Sequence, residues 1–302
     1  MRRTEKGGVK MVSGKGGKRT ALIFMIALGI IWIVPILWLV LNSFKTDSDF
    51  ITSFATVTGP WDYLSRLVPR QWTVVNYIEM FVGGSGTNTT SNILSMFKNS
   101  FIVSITVTVF SVIITSLSAY AYERLDFKGG EKIFWALMYM SMFPNVVNLL
   151  PMFRIANAMG WVNNLNALIW PGLAGVFNIF LIRNFMKGIP KVLDEAATID
   201  GASSLQVYMH VILPSIVPVM IVVGLFSFNG AWNDFLWPSI VMTDVKNQTI
   251  TAGLRLLSGQ YEQKWAHMIA SCLVSMLPPF FLYLGAQKYF LQGISVQAGV
   301  KG

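Results

Sequence analysis

The chain has 302 residues, of which 54% are hydrophobic and only 12% charged, with a formal charge of +9. Soluble domains carry roughly 25% charge, so long stretches here have no polar face, and their natural solvent is lipid. The basic residues sit at the ends of apolar runs, which is a topology signal and excludes a phosphate-binding stripe and a nucleic-acid partner.

One cysteine, Cys272, cannot form an intrachain disulfide. The two histidines, His210 and His267, lie in no Cys/His cluster, so a metal site is not expected.

Residues 1–19 form a basic, glycine-rich tail, read as flexible and drawn to anionic lipid. Within it Gly14-Lys15-Gly16-Gly17-Lys18 has the wrong spacing for a phosphate loop, and no strand precedes it. The apolar run from Ala21 to Leu41, in a segment 20–42, would be about 30 Å long as a helix, one hydrocarbon thickness. It is longer than a signal-peptide core, and Asn42-Ser43-Phe44-Lys45 offers no small-residue cleavage site, so a retained first span is expected.

Residues 43–98 are expected to form a folded external cap. They carry turn signals at Gly59-Pro60 and Gly83-Gly84-Ser85-Gly86, with Trp61, Tyr63, Trp72, Tyr77 and Phe81 between them. Five more apolar runs follow, near 101–122, 133–155, 165–186, 212–236 and 268–290. The fold class is therefore an all-α membrane protein of six transmembrane helices, its core covering 99–290 and a tail covering 291–302. Trp32, Trp38, Trp135, Trp161, Trp170, Trp232 and Trp237 lie mostly near span ends, as interfacial anchors do, with Trp32 deeper.

With the N-terminus in the cytoplasm, 15 of the 23 lysines and arginines fall on that side, seven of them in the tail. Six spans then place both termini inside. Pro144 and Pro151 in the third span and Pro278-Pro279 in the sixth free backbone carbonyls. Such breaks are packing kinks or walls of a translocation path.

The polar connection 187–214 reads Lys-Gly-Ile-Pro-Lys-Val-Leu-Asp-Glu-Ala-Ala-Thr-Ile-Asp-Gly and onward to Leu213-Pro214. Pro190 suits a first helical turn, and Asp194 and Glu195 add negative charge early in the helix. Gly201 breaks it, Ser203 or Ser204 caps a second short helix, and Pro214 begins a run of lipid length. The expected object is an exposed helix–turn–helix joined to two spans.

These residues resemble a known family. Glu195-Ala196-Ala197, three residues, Gly201, nine residues, and then Val211-Ile212-Leu213-Pro214 is similar to the coupling loop of ATP-driven importer permeases. Val211 stands where isoleucine is usual. The run Asn229 to Pro238 and the stretch from Trp265 to the terminal Gly299-Val300-Lys301-Gly302 resemble the shorter permease of maltose/maltodextrin-type carbohydrate importers. The resemblance covers about 99 to the end. The cap is longer than that pattern, and the N-terminal tail lies outside it.

The resemblance implies a type I importer permease fold and a transport subunit rather than an enzyme. Its partners would be a second permease, two ATPase subunits and an extracellular solute-binding protein, with lipid around the spans. It assigns ATPase coupling to Glu195, Ala196, Ala197, Asp200, Gly201, Leu213 and Pro214, and a further ATPase contact to Val300, Lys301 and Gly302. This chain would hold no cofactor, and Mg-ATP would sit on the ATPase. The solute implied is a di- or oligosaccharide, moved by alternating access.

Polar groups inside spans mark interior faces. Asn145, Asn148, Asn178, Asn229, Asn233 and Asp234, with Trp232 as a ring partner, are the candidate translocation-path residues. Interhelical hydrogen bonding is the competing reading of the same side chains. A membrane enzyme would need a cluster of acids or histidines at a membrane edge, and only Asp47 and Asp49 come close. An ion-driven transporter would place charge mid-span and show an internal repeat. Neither alternative accounts for the spacing of Glu195, Gly201 and Pro214. A permease for a different solute class remains compatible with it.

Overall fold

The computed structural model describes residues 15–55, 57–81, 89–260 and 265–299, and among these it contains helices and no strand. The expected tail 1–14, the glycine turn at 83–86 and the terminal contact Val300, Lys301 and Gly302 lie outside the described residues.

The chain divides into two compact units. The first comprises the described residues up to Asn76 together with Trp265–Ala270. Its long helix α1, Lys15–Ser43, includes the first membrane span, Gly17–Ser43. After it come α2 (Asp47–Ala55), α3 (Pro60–Ser65) and α4 (Val75–Phe81), the last crossing into the second unit. Lys45 is 1% exposed, and its Nζ donates to Ser53 Oγ at 3.1 Å and to Arg66 O at 2.6 Å. Asn76 Nδ2 donates to Ser43 O and Lys45 O, both at 2.8 Å, closing the turn after α1. Asp47 Oδ1 accepts the Ala266 backbone N–H at 2.9 Å.

The second unit is built around α5, Thr89–Arg124. Residues 89–98, expected from the sequence to be part of the cap, form the first turns of this helix, whose apolar span is Ile93–Arg124. The third span is not a single kinked helix. α6 (Gly130–Ser141) and the turn 145–148 leading into α7 (Leu149–Ala158) meet at 93°, with Pro144 in the break. Proline removes a donor and sterically opposes the preceding turn, so the helix ends there.

The fourth run is also interrupted, since α8 (Asn166–Ile169) and a short turn at Trp170–Gly172 precede α9 (Val176–Met186). Next come α10 (Val192–Ile199) and α11 (Ser204–Val207). α11 does not stop before the fifth span. A π-helical turn at Tyr208–Ile212 carries it into α12, Leu213–Asn233. Pro214 would clash with a carbonyl of the preceding turn in a regular helix, and the wider turn accommodates it. α13 (Leu236–Val241), α14 (Ile250–Gln260) and α15 (Trp265–Gly299) complete the chain. Pro278 and Pro279 sit inside α15 without breaking it. Among the described residues five helical spans are long and apolar enough to cross a membrane, six if the bent third pair is counted as one span.

Two apolar cores lie along α5. Ala119 and Tyr120 pack with Ile182, Met186, Tyr208 and Ile216. Val103 and Val107 pack with Ala156, Leu168, Trp237 and Val241. Lipid supplies no hydrophobic drive between helices, so close approach and buried hydroxyls must hold them. α5 accordingly buries Ser104, Ser111, Thr115 and Ser116. Gly224 of α12 lies against α5, where a Cβ would sit 3.6 Å from Thr108 Cγ2.

Candidate functional site

The segment between α9 and α12 forms the candidate coupling site. Asp194 and Glu195 occupy the first turn of α10, where the helix dipole favours acid. The helix ends in a left-handed turn. Gly201 has φ +86, its N–H donates to Thr198 O at 3.0 Å, and the Ala202 N–H donates to Ala197 O at 3.0 Å. This pair of bonds satisfies carbonyls that a helix end leaves orphaned, and it needs a residue without Cβ strain at Gly201. The spacing from Ala197 to Gly201 thus has a local physical cause. Ser203 then opens α11, its N–H and Oγ both donating to Gln206 Oε1 at 2.8 and 2.9 Å.

Glu195, Ala196, Asp200 and Gly201 are exposed, as is Pro214. Ala197 and Leu213 are half-buried against the core formed by Met186, Tyr208 and Ile212. The small side chain of Ala197 lets α10 lie against the bundle. Its outer side and that of α11 also carry apolar side chains beside Glu195, with Val192 68%, Ile199 86% and Leu205 64% exposed. A polar connector would not carry such side chains outward, so this face is shaped for covering.

Charged side chains tie the bundle end beneath it. Arg124 pairs with Asp194, Nε to Oδ2 3.0 Å. Arg183 pairs with Glu123 at 3.0 Å and with Glu131, and its guanidinium lies 4.3 Å from the Phe134 ring centroid. Sequence reasoning missed these arginines as site residues. Their position at span ends was visible, but their partners are not local in the sequence.

The translocation candidates do not form one set. Asn145, Asn148 and Asp234 line a common cavity of about 360 Å³ with Met152, Pro171 and Trp237. Asp234 precedes α13, and the backbone N–H groups of Phe235, Leu236 and Trp237 surround its carboxylate. Asn178 lies apart from that cavity. Its Nδ2 donates to Ser227 Oγ at 3.2 Å, which continues to Ser111 Oγ at 3.2 Å, an interhelical chain. Asn229 and Asn233 are exposed and bond each other, Nδ2 of Asn233 to Oδ1 of Asn229 at 2.6 Å.

Trp232, expected as a ring partner for solute, is only 1% exposed. Its Nε1 donates to Ser275 O at 3.0 Å, and its ring stacks on Phe228 at 5.6 Å. It packs helices together and has no face left for a solute. Buried tryptophans find a partner for the N–H in this way.

A second ordered feature is the loop after α13. Asn163 adopts φ 62, and its Oδ1 accepts the N–H groups of Thr243 and Asp244 at 2.8 and 2.9 Å. Asn99 Nδ2 donates to Lys246 O and Gln248 O at 2.9 and 3.1 Å. Asparagine tolerates the left-handed region, which explains this residue at 163. Among the described residues no cluster of His, Cys, Asp and Glu suits a metal ion.

The family described as "Binding-protein-dependent transport system inner membrane component" matches residues 111–296. The trehalose/maltose transport system permease protein MalG of Thermococcus litoralis is 31% identical over 285 residues, covering 93% of this chain and 96% of that protein. The arabinooligosaccharides transport system permease protein AraQ of Halalkalibacterium halodurans is 28% identical, covering 89% and 91%. The sn-glycerol-3-phosphate permease protein UgpE of Pectobacterium atrosepticum is 30% identical, covering 76% and 82%. A crystal structure of a bacterial transporter that imports the polysaccharide alginate contains a chain with the same fold. Its TM-score is 0.73 at 19% identity, covering 92% of this chain and 98% of that one. The chain belongs to the inner-membrane components of binding-protein-dependent transport systems, as a multi-pass permease subunit and not an enzyme.

Proposed function

We propose that this permease forms half of the translocation path of an ATP-driven sugar importer, beside a second permease subunit, and works by alternating access. The observation that carries the reading is the exposed apolar face of α10 and α11, fixed in angle by the Gly201 turn. In this reading that face points into the cytoplasm with both termini. It docks on one of two ATPase subunits, which hold the Mg-ATP. Glu195, Ala196, Ala197, Asp200 and Gly201 form the contact, Leu213 and Pro214 join it to the fifth span, and Val300, Lys301 and Gly302 reach the same partner. Closure of the ATPases moves α10, and the spans rock about the solute.

The opposite end of the bundle would meet an extracellular solute-binding protein, through the loop that Asn163 and Asn99 hold in shape. One related transporter is described in complex with an alginate pentasaccharide-bound periplasmic protein, which supports this arrangement. The named relatives transport trehalose/maltose, arabinooligosaccharides and sn-glycerol-3-phosphate. The Asp234 cavity carries a carboxylate and no cation among its lining residues. The Asp234 carboxyl and the Asn145 and Asn148 amides would serve as hydroxyl partners, and with the trehalose/maltose and arabinooligosaccharide relatives this favours a di- or oligosaccharide.

The test is ATP-driven uptake by the reconstituted complex with its binding protein, comparing labelled maltose, trehalose and arabinobiose with sn-glycerol-3-phosphate. Uptake of a neutral sugar is expected. Uptake of the phosphate ester alone would refute the sugar assignment.

A further inference from the structure

Arg124 ends α5, and its side chain is only 4% exposed. Its Nη2 donates to Met186 O at 3.1 Å and to Ile189 O at 2.8 Å, the carbonyls that follow α9 into the coupling segment. Its Nε lies 3.0 Å from Asp194 Oδ2 in the first turn of α10. The end of α5 thus meets, at one guanidinium, the stretch from the end of α9 to the first turn of α10, 62 or more residues further on. Its two hydrogen bonds orient the chain that leads from α9 into the coupling segment, and its permanent charge holds Asp194 by attraction.

Two links run beside it. The Tyr120 hydroxyl donates to Ser204 O at 2.9 Å, and Ser116 Oγ lies 2.8 Å from the Tyr208 hydroxyl. α5 thus grips both sides of the Gly201 turn, holding α10 through Arg124 and α11 through Tyr120. Asp194 Oδ1 has no hydrogen-bond partner among the described residues. Arg124 Nε likewise has none, so charge attraction across 3.0 Å, and not a directed hydrogen bond, ties that carboxylate to the arginine.

We propose that Arg124 is a positioning residue that makes α10 and α5 one rigid body. A push on α10 then enters the bundle through the second span. It does not depend only on α9 and α12, the helices that α10 joins in sequence. The proposal rests on the coupling role proposed above for α10. Packed interfaces switch between discrete arrangements rather than bending, so a welded α10 moves α5 with it.

The test is pulsed electron-resonance distance measurement in the full reconstituted complex with its ATPase. Spin labels are placed at Leu125→Cys, just past α5, and at Thr198→Cys on α10, in a Cys272→Ala background. The label-to-label distance is expected to stay the same with and without ATP plus vanadate. In Asp194→Asn, an isosteric change that removes only the charge, the distance is expected to shift or split when ATP is added. Arg124→Lys keeps the buried charge but not the fork to two carbonyls, and it should behave likewise. A merely structural role would alter the distance in both states equally and would overturn the proposal. So would an ATP-dependent shift in the parent chain, or ATP-invariance surviving in both variants. A second pair, Thr198→Cys against a label on the ATPase, separates the two readings. A single defined distance held with and without ATP shows that α10 stays docked, and a broad distribution in both states means that it is the docking of α10 that fails.

Discussion

Replacing Gly201 by alanine and by asparagine separates backbone strain from docking sterics. Gly201 has φ +86, and a Cβ built there meets nothing within 4 Å. No clash inside the chain contributes, so the intrinsic cost is the left-handed backbone alone, about 1–2 kcal/mol for alanine. The alternative is to abandon the turn, which forfeits the bonds from Gly201 to Thr198 and from Ala202 to Ala197 at about 1 kcal/mol each. Both routes cost similar amounts, so the properly angled α10–α11 pair should fall in population by roughly 5–30-fold. Asparagine adopts this region more readily and should cost less. The assay is the affinity of the purified permease pair for its ATPase, followed by coupled uptake. The backbone account predicts the order glycine, asparagine, alanine. If the larger asparagine is worse than alanine, contact with the ATPase surface controls the position and the strain argument is refuted.

Arg183→Met should destabilise the bundle by about 3 kcal/mol, because Glu123 is left mostly buried without its cation. Glu131→Gln should cost far less, since Glu131 is 61% exposed and solvent screens its pairing. Thermal unfolding in detergent reads both, and equal losses would contradict the assignment of Glu123 as the deeper partner. Burial holds the Lys45 ammonium below its ordinary value of 10.5, with Asp49 opposing and Arg70 adding to the shift. A depressed folded value means that the unfolded state binds more protons, so stability rises as pH climbs towards 10.5. Protease resistance of residues 43–76 should increase over that window, and Lys45→Met should flatten the rise.

Much of the architecture is legible in the sequence because spans are set by bilayer thickness. The runs at 21–41 and 268–290 are both contained in long helices, Lys15–Ser43 and Trp265–Gly299. Breaks are less legible. Pro144 ends a helix, while Pro278 and Pro279 do not, because the outcome depends on whether neighbours satisfy the freed carbonyls. The turn at Gly201 is readable from one glycine after an acidic, alanine-rich helix. The clamp of Arg124 on Asp194 is not, since its members are 70 positions apart and only packing brings them together. Trp232 shows the same limit: an aromatic beside two asparagines suits a sugar, yet its partners Phe228 and Ser275 consume it.

The most direct measurement of the central claim is ATP-driven uptake by complexes carrying Glu195→Lys together with Gly201→Asp, with membrane insertion and subunit assembly checked in parallel. The account predicts insertion at the normal level and loss of uptake, because the changes fall on the exposed hairpin and leave both apolar cores intact. Uptake at the parental rate from the inserted double variant would contradict the coupling role of α10.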